Sequence, residues 1–296
     1  MTEALLRTDW TRMVSAGAAP DADALRSHLR DIHHSNAGFT ERCAGQCRDA
    51  QGRTTYDWLV EAVDPDAHGS VLDLACGSGA LLALCDARLP ATTRLAGLDM
   101  SPEELGLAAS RLPAGRAVLH EGQAQSLHAF PDGSTDVVLC HWALTLMDPV
   151  EPVLAEVARI LAPGGRFAAL VDGPMDSAPG YEAVHDLIYG HVQAALPDYG
   201  RVELGDPRVR HADELATLVA AIFPTAAIRC ETNVVTLSGS TDAVAREAAG
   251  FFYAAFVLSD MARAVMLSDL AALLARTSAS DGATFSMPVT RLVVAL

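Results

Sequence analysis

The sequence predicts an α/β fold: a doubly wound, mostly parallel sheet with helices on both faces and leftover helical segments that form a cap. Three observations predict it. From Ser70 onward, short apolar runs alternate with helical stretches, the rhythm of βαβ units. The runs are near-continuous in Val, Leu and Ala, as strands buried on both faces require. The first run ends in an acid followed by two glycines, Asp73 to Gly79, at the strand end where open α/β sheets bind ligands. The chain's 296 residues suffice for one such domain with a cap, or for two modest domains.

The elements follow in order. Leu5, Leu6 and Trp10, then Leu25, Leu29 and Ile32, recur at helical spacing. A polar segment, Ser35 to Arg53, interrupts them with Gly38, Gly45 and Gly52, and Tyr56 to Val60 reads as another helix closed by Asp64-Pro65. Val71 to Ala75 is the first strand and Ala80 to Arg88 its helix. Arg94 to Leu98 is the second strand; behind it Ser101 caps a helix that Pro102 opens. Ala117 to His120 and Asp136 to Cys140 are the third and fourth strands. Pro149 to Leu161 is an amphipathic helix stopped at Pro163-Gly164-Gly165, and Arg166 to Val171 is the fifth strand. Then come a helix over Gly180 to Leu196, a loop to Pro207, a helix over His211 to Phe223 and a strand over Ala226 to Leu237. Asp242 to Arg276 reads as two helices broken near Ser259-Asp260, and Thr284 to Leu296 closes the chain as a strand.

Composition narrows the function classes. The net charge of −16 argues against sequence-independent nucleic-acid binding, which needs cations to neutralise phosphates, and against docking on an anionic membrane. A small-molecule substrate is the expectation, and a homodimer stays open as an assembly state. The first ten residues lack the apolar core of a signal peptide, and the most apolar stretch, Ala248 to Leu258, is too short to span a bilayer, so a cytoplasmic location is expected. The six cysteines are scattered and read as buried thiols. Cys43 and Cys47 with His33 and His34 match no closed zinc pattern, and no metal is expected.

The strongest signal is Asp73-Leu74-Ala75-Cys76-Gly77-Ser78-Gly79. Two glycines allow a tight turn and close approach of a ligand to the backbone. Asp99, twenty residues beyond Gly79 at the end of the second strand, can accept hydrogen bonds from both hydroxyls of a ribose. A nicotinamide-dinucleotide site uses similar parts, but its third glycine would fall at Leu82, which is bulky for close helix–strand packing under a pyrophosphate.

From about Ser70 to Val171 the chain resembles class I S-adenosylmethionine methyltransferases, of the branch that includes the ubiquinone and menaquinone C-methyltransferases. The glycine loop resembles their first motif, Gly97-Leu98-Asp99-Met100-Ser101 the second, Glu121-Gly122-Gln123-Ala124 the third, and Asp136-Val137-Val138-Leu139-Cys140 the fourth. Arg159 to Arg166 resembles the helix and turn before their fifth strand. The resemblance implies a Rossmann-like, seven-stranded sheet with its last strand antiparallel. It also implies S-adenosyl-L-methionine as cofactor. Carried over, Asp73, Ala75, Gly77 and Gly79 hold the methionine end, Asp99 grips the ribose, Met100 lies on the adenine, and Gln123, Ala124 and Cys140 complete the site. Gln123 departs from the acid that often stands there.

The implied organisation is an N-terminal helical lid over 1–67, a cofactor-binding core over 68–172, and a remainder over 173–296 whose insertions, about 176–210 and 242–281, join the cap. Gly38 to Arg53 is the expected moving piece. His141 follows the fourth strand at the sheet's carboxyl edge and is the candidate general base. Two alternatives stay open: a protein that keeps the cofactor pocket without methyl transfer, and a nicotinamide-dependent oxidoreductase.

Overall fold

The structure is a computed structural model that describes residues 6–202, 204–277 and 282–296; Leu5 and Asp281, the expected end of the second insertion, lie outside the described residues. Among the described residues seven strands form one sheet: β1 (Ser70–Leu74), β2 (Arg94–Asp99), β3 (Ala117–Glu121), β4 (Thr135–His141), β5 (Leu161–Asp172), β6 (Ala227–Gly239) and β7 (Ala283–Ala295). Their spatial order is β3-β2-β1-β4-β5-β7-β6. The first five pair in parallel, and β7 runs antiparallel between β5 and β6. The Rossmann-like sheet with a reversed last strand is therefore present.

Alternation along the strands builds two layers. Val71, Val137 and Leu139 face α4 (Thr55–Val60), α5 (Ala80–Arg88) and α6 (Pro102–Arg111), where Leu59, Leu81 and Leu82 complete the packing. Leu72, Leu74 and Val138 face α7 (Glu151–Ile160) and α9 (Ala212–Ile222), where Leu154, Val157 and Leu215 meet them. Ser101 caps α6 through the amide of Glu104 and Pro102 opens the helix, as the sequence predicts.

The remaining helices gather over the carboxyl edge. They are α1 (Asp9–Ser15), α2 (Ala22–Asn36), α3 (Phe39–Ala44), α8 (Tyr181–Ala195), α10 (Thr241–Ala249) and α11 (Asp260–Thr277). Trp10, Leu25, Leu29, Ile188, Val244 and Met266 form a second core that continues onto Phe285 and Met287 of β7. Each amphipathic cap helix thus finds the apolar partner it needs.

Three expectations are corrected. Pro163-Gly164-Gly165 is not a turn before β5. Leu161 already pairs with Thr135, and the register then jumps to Val137 opposite Arg166, so the turn is a bulge inside the strand. The polar segment 35–53 is not all loop: α3 buries Phe39, Cys43 and Ala44, and Arg48 pairs with Thr236 of β6. The break in 242–276 is wider than Ser259-Asp260. It runs from the end of α10 through a 3₁₀ turn, Tyr253–Val257, to α11.

Candidate functional site

At the end of β1 the chain turns through Ala75 (φ 59°), Gly77 (φ 50°) and Gly79 (φ 75°) before α5 begins. The turn opens onto a cavity of about 810 Å³ between sheet edge and cap, at the upper end of the ~300–1,000 Å³ usual for ligand sites. Asp73, Ala75, Gly77, Asp99, Met100, Gln123, Ala124 and His141 all line it.

Asp73 is 1% exposed, and neither carboxylate oxygen has a hydrogen-bond partner within the chain. Burial, and then the charge of Asp99, push its pKa well above the usual carboxylate range. Asp99 is braced instead: its carboxylate accepts from the amides of Gly77 (2.8 Å) and Ser101 (2.9 Å). Each of these oxygens retains acceptor capacity toward the cavity. Burial still raises the Asp99 pKa, against the two amide bonds. Gln123 sits exposed at the rim.

Two residues of the expected cofactor set are not part of the cavity lining. Cys140 is fully buried among the strand residues that face α7. It shares a side of the sheet with Val138, and it does not line the cavity among the described residues. Gly79 is not part of that lining either, though its neighbours Ser78 and Ala80 are. A Cβ there would come 2.8 Å from the Cβ of Ala108, so this glycine serves the close packing of the loop on α6. At Gly77 a Cβ would meet nothing nearer than Glu104 Oε2 at 3.8 Å, and its bareness faces the cavity.

His141 lines the cavity but is committed. Its Nε2 shares a 2.9 Å hydrogen bond with Thr55 Oγ1, and the ring stacks on Tyr56 at 3.9 Å. Burial lowers its pKa to about 3, so the imidazole is neutral at physiological pH and holds a transferred proton poorly. Trp142, next along, takes a left-handed backbone (φ 58°) and donates its indole N–H to Asp172 at 2.9 Å.

Sequence reasoning missed how the cap fastens to the core. Glu41 of α3 accepts from Ser78 of the glycine loop (2.8 Å) and from Arg111 of α6 (2.6 Å). Glu104 of α6 meets His33 Nδ1 of α2 at 2.8 Å and accepts from the amide of Gly38 at 2.9 Å. His33 Nε2 meets Tyr253 Oη at 2.9 Å. His33 is thus engaged in this chain, and Cys43 points its thiol at Glu247 instead. The helix start at Ser101-Pro102 is legible in the sequence, but the partners of Glu104 about seventy residues away are not.

The cavity lining is rich in aromatic side chains. All five tyrosines of the chain, Tyr56, Tyr181, Tyr189, Tyr199 and Tyr253, line the cavity, in a protein with only 5% aromatic residues. Tyr189 stacks on His185 at 4.2 Å, and Tyr181 on Phe252 at 5.8 Å. The Tyr199 hydroxyl is buried without a partner.

Among known proteins, a methyltransferase domain family matches residues 72–169. A demethylmenaquinone methyltransferase of Symbiobacterium thermophilum is 35% identical over 104 residues, 34% of this chain and 41% of its own length. That of Thermus thermophilus is 30% identical over 154 residues, 50% of this chain and 67% of its own length. The chain spans about half the length of curated relatives of this kind. The structure of SpnF, a 4+2-cyclase, aligns over 94% of this chain and 96% of that one with a TM-score of 0.57 at 16% identity, a likeness of fold alone.

Proposed function

We propose that this chain, which belongs to the class I S-adenosylmethionine-dependent methyltransferases, transfers the cofactor's methyl group to a small planar aromatic molecule. One observation carries the reading: the Asp73 carboxylate, buried beside the glycine loop with both oxygens unpartnered. A buried carboxylate without a donor is costly, and the methionine ammonium is a donor of matching charge.

The residues present fit the group. Asp73 would receive the ammonium, Gly77 leaves its loop bare for close approach, Asp99 offers its remaining acceptor capacity to the ribose, and Met100 offers an apolar face to the adenine. When bound, adenosylmethionine supplies an electrophilic methyl on a sulfonium. The chain's own part is alignment and exclusion of water by the cap. A nicotinamide dinucleotide suits the loop less well. Leu82 is fully buried and packs where a Cβ on Gly97 would come within 2.8 Å of it, so the third glycine's close packing is replaced by a leucine.

The acceptor reading rests on the five tyrosines of the cavity lining, since offset and edge contacts with rings favour planar π-systems. The unpartnered Tyr199 hydroxyl supplies a polar anchor. Relatives that are demethylmenaquinone methyltransferases agree with a ring acceptor. His141 has a supporting role in this reading: neutral, bonded to Thr55, and stacked on Tyr56.

The test is incubation with methyl-labelled adenosylmethionine and a panel of 1,4-naphthalenediol, catechol, thiophenol and cyclohexanol, with products read by mass spectrometry. Label on one or more ring acceptors is expected. Cofactor binding with no label moved to any acceptor, or label on cyclohexanol alone, overturns the reading.

A further inference from the structure

Glu104 stands at the third position of α6, where a glutamate ordinarily faces water and complements the helix dipole. Here it is 2% exposed. One oxygen, Oε1, is spent on the chain: it accepts from the Gly38 amide (2.9 Å) and lies 2.8 Å from His33 Nδ1. The carboxylate can only accept, so Nδ1 carries a proton toward it, and on the far side of the ring Nε2 lies 2.9 Å from the Tyr253 hydroxyl. The other oxygen, Oε2, is buried and has no partner within the chain. It overlooks the glycine loop, 3.8 Å from where a Cβ on Gly77 would stand. Buried polar atoms left without a partner ask for an explanation, and at this spot the missing donor must come from what fills the cavity.

We propose that Glu104 is a cofactor-binding residue that also locks the cap: Oε2 accepts a hydrogen bond from the cofactor, while Oε1 holds α2, Gly38 and, through His33, the Tyr253–Val257 turn over it. This rests on the reading of the cavity as an adenosylmethionine site. The donor chemistry is an O–H or N–H of the cofactor, either a ribose hydroxyl or the ammonium. Because one side chain serves both partners, occupancy and closure are coupled, and the coupling is reciprocal. Whatever loosens the cap side weakens the cofactor, and the cofactor protects the cap.

The experiment is calorimetric titration of the full chain with S-adenosylhomocysteine and with 5′-methylthioadenosine, which keeps the ribose and lacks the amino-acid end. Glu104→Gln can keep its oxygen toward His33 and Gly38 and turn an NH₂ donor to the loop. It should weaken adenosylhomocysteine binding at least tenfold, while Glu103→Gln, on the same helix turn, changes it less than twofold. An equal loss with methylthioadenosine assigns the contact to the ribose; an unchanged methylthioadenosine affinity assigns it to the ammonium. Either result supports the proposal. His33→Ala should abolish the hydrogen-exchange protection that adenosylhomocysteine confers on residues 22–44. A folded Glu104→Gln variant that binds adenosylhomocysteine within twofold of the unsubstituted chain overturns the role of Glu104 and leaves the cofactor reading intact. Should Glu104→Gln fail to fold, Glu104→Asp, which withdraws the carboxylate by one methylene, is read by the same criterion. An unsubstituted chain that binds neither nucleoside overturns the cofactor reading, and this proposal with it.

Discussion

Asp73 is where stability and binding pull apart. Its pKa is raised chiefly by burial and then by Asp99. A carboxyl whose folded pKa lies above its unfolded value opposes folding more and more as pH rises through that interval. Asp73→Asn removes the opposition, so its melting temperature at pH 7 should equal or exceed the parent's. Its affinity for adenosylhomocysteine should fall about 10- to 100-fold, the loss of a charge-assisted bond worth roughly 1.5–3 kcal/mol. A lower melting temperature with unchanged affinity would make Asp73 a structural residue. His141 carries the opposite expectation. Held by Thr55 and Tyr56 with a pKa near 3, it should give no limb near pH 6–7 in a turnover profile. His141→Gln should cost melting temperature more than turnover, with a turnover loss under about tenfold, below the ~10²–10⁴ of general-base help. A limb in that range that vanishes with His141 would restore the base. Asp73, Asp99 and the glycine turn were legible in the sequence because an acid at a strand end and a twenty-residue spacing are local patterns. Glu104 was not, because its partners, His33 of α2 and Gly38 before α3, belong to elements that local pattern does not register against α6.

At the level of elements, Gly79 separates packing from binding. It sits at the start of α5 with φ 75°, and a Cβ there would overlap Ala108 of α6 at 2.8 Å. Gly79→Ala should destabilise the fold by roughly 2–5 kcal/mol, combining about 1–2 for a left-handed alanine with about 1–3 for overpacking. Ala108→Gly in the same chain should recover the overlap part alone. Urea unfolding of the two single variants and the double variant measures this as a cycle, and additive losses would remove the contact. Elements marked by caps were read closely: Ser101 and Pro102 open α6 as the sequence predicts, and α5 has the predicted bounds. Elements that break a local rule were not. β5 passes through Pro163-Gly164-Gly165 because a register jump of β4 absorbs the extra residues. The 3₁₀ turn Tyr253–Val257 hides in an apolar run that reads as continuous helix.

Across the whole molecule, two buried histidines make acid costly to the fold. His28 bonds to Thr8 and stacks on Trp10, and burial lowers its pKa to about 4; His141 is lowered by burial to about 3. As pH falls below 6.5 the unfolded chain binds protons that these two buried rings refuse until about 4 and about 3. Stability is therefore lost progressively across that window. Buried Asp73, whose pKa is raised, contributes with the opposite sign, so the histidine share is read as a difference: between pH 7 and pH 5 the urea midpoint of the parent should fall relative to that of His28→Gln. Equal slopes in parent and variant would remove His28 as a contributor. The overall layout has its own limit: no helix among the described residues is long and apolar enough to cross a membrane, and cap and sheet share one core through Phe285 and Met287. What the cavity holds decides what the protein does. Calorimetric titration with S-adenosylhomocysteine tests this most directly: one-to-one binding that Asp73→Asn weakens is the predicted result. No heat with adenosylhomocysteine or adenosylmethionine, beside clear saturable binding of a nicotinamide dinucleotide, would contradict it.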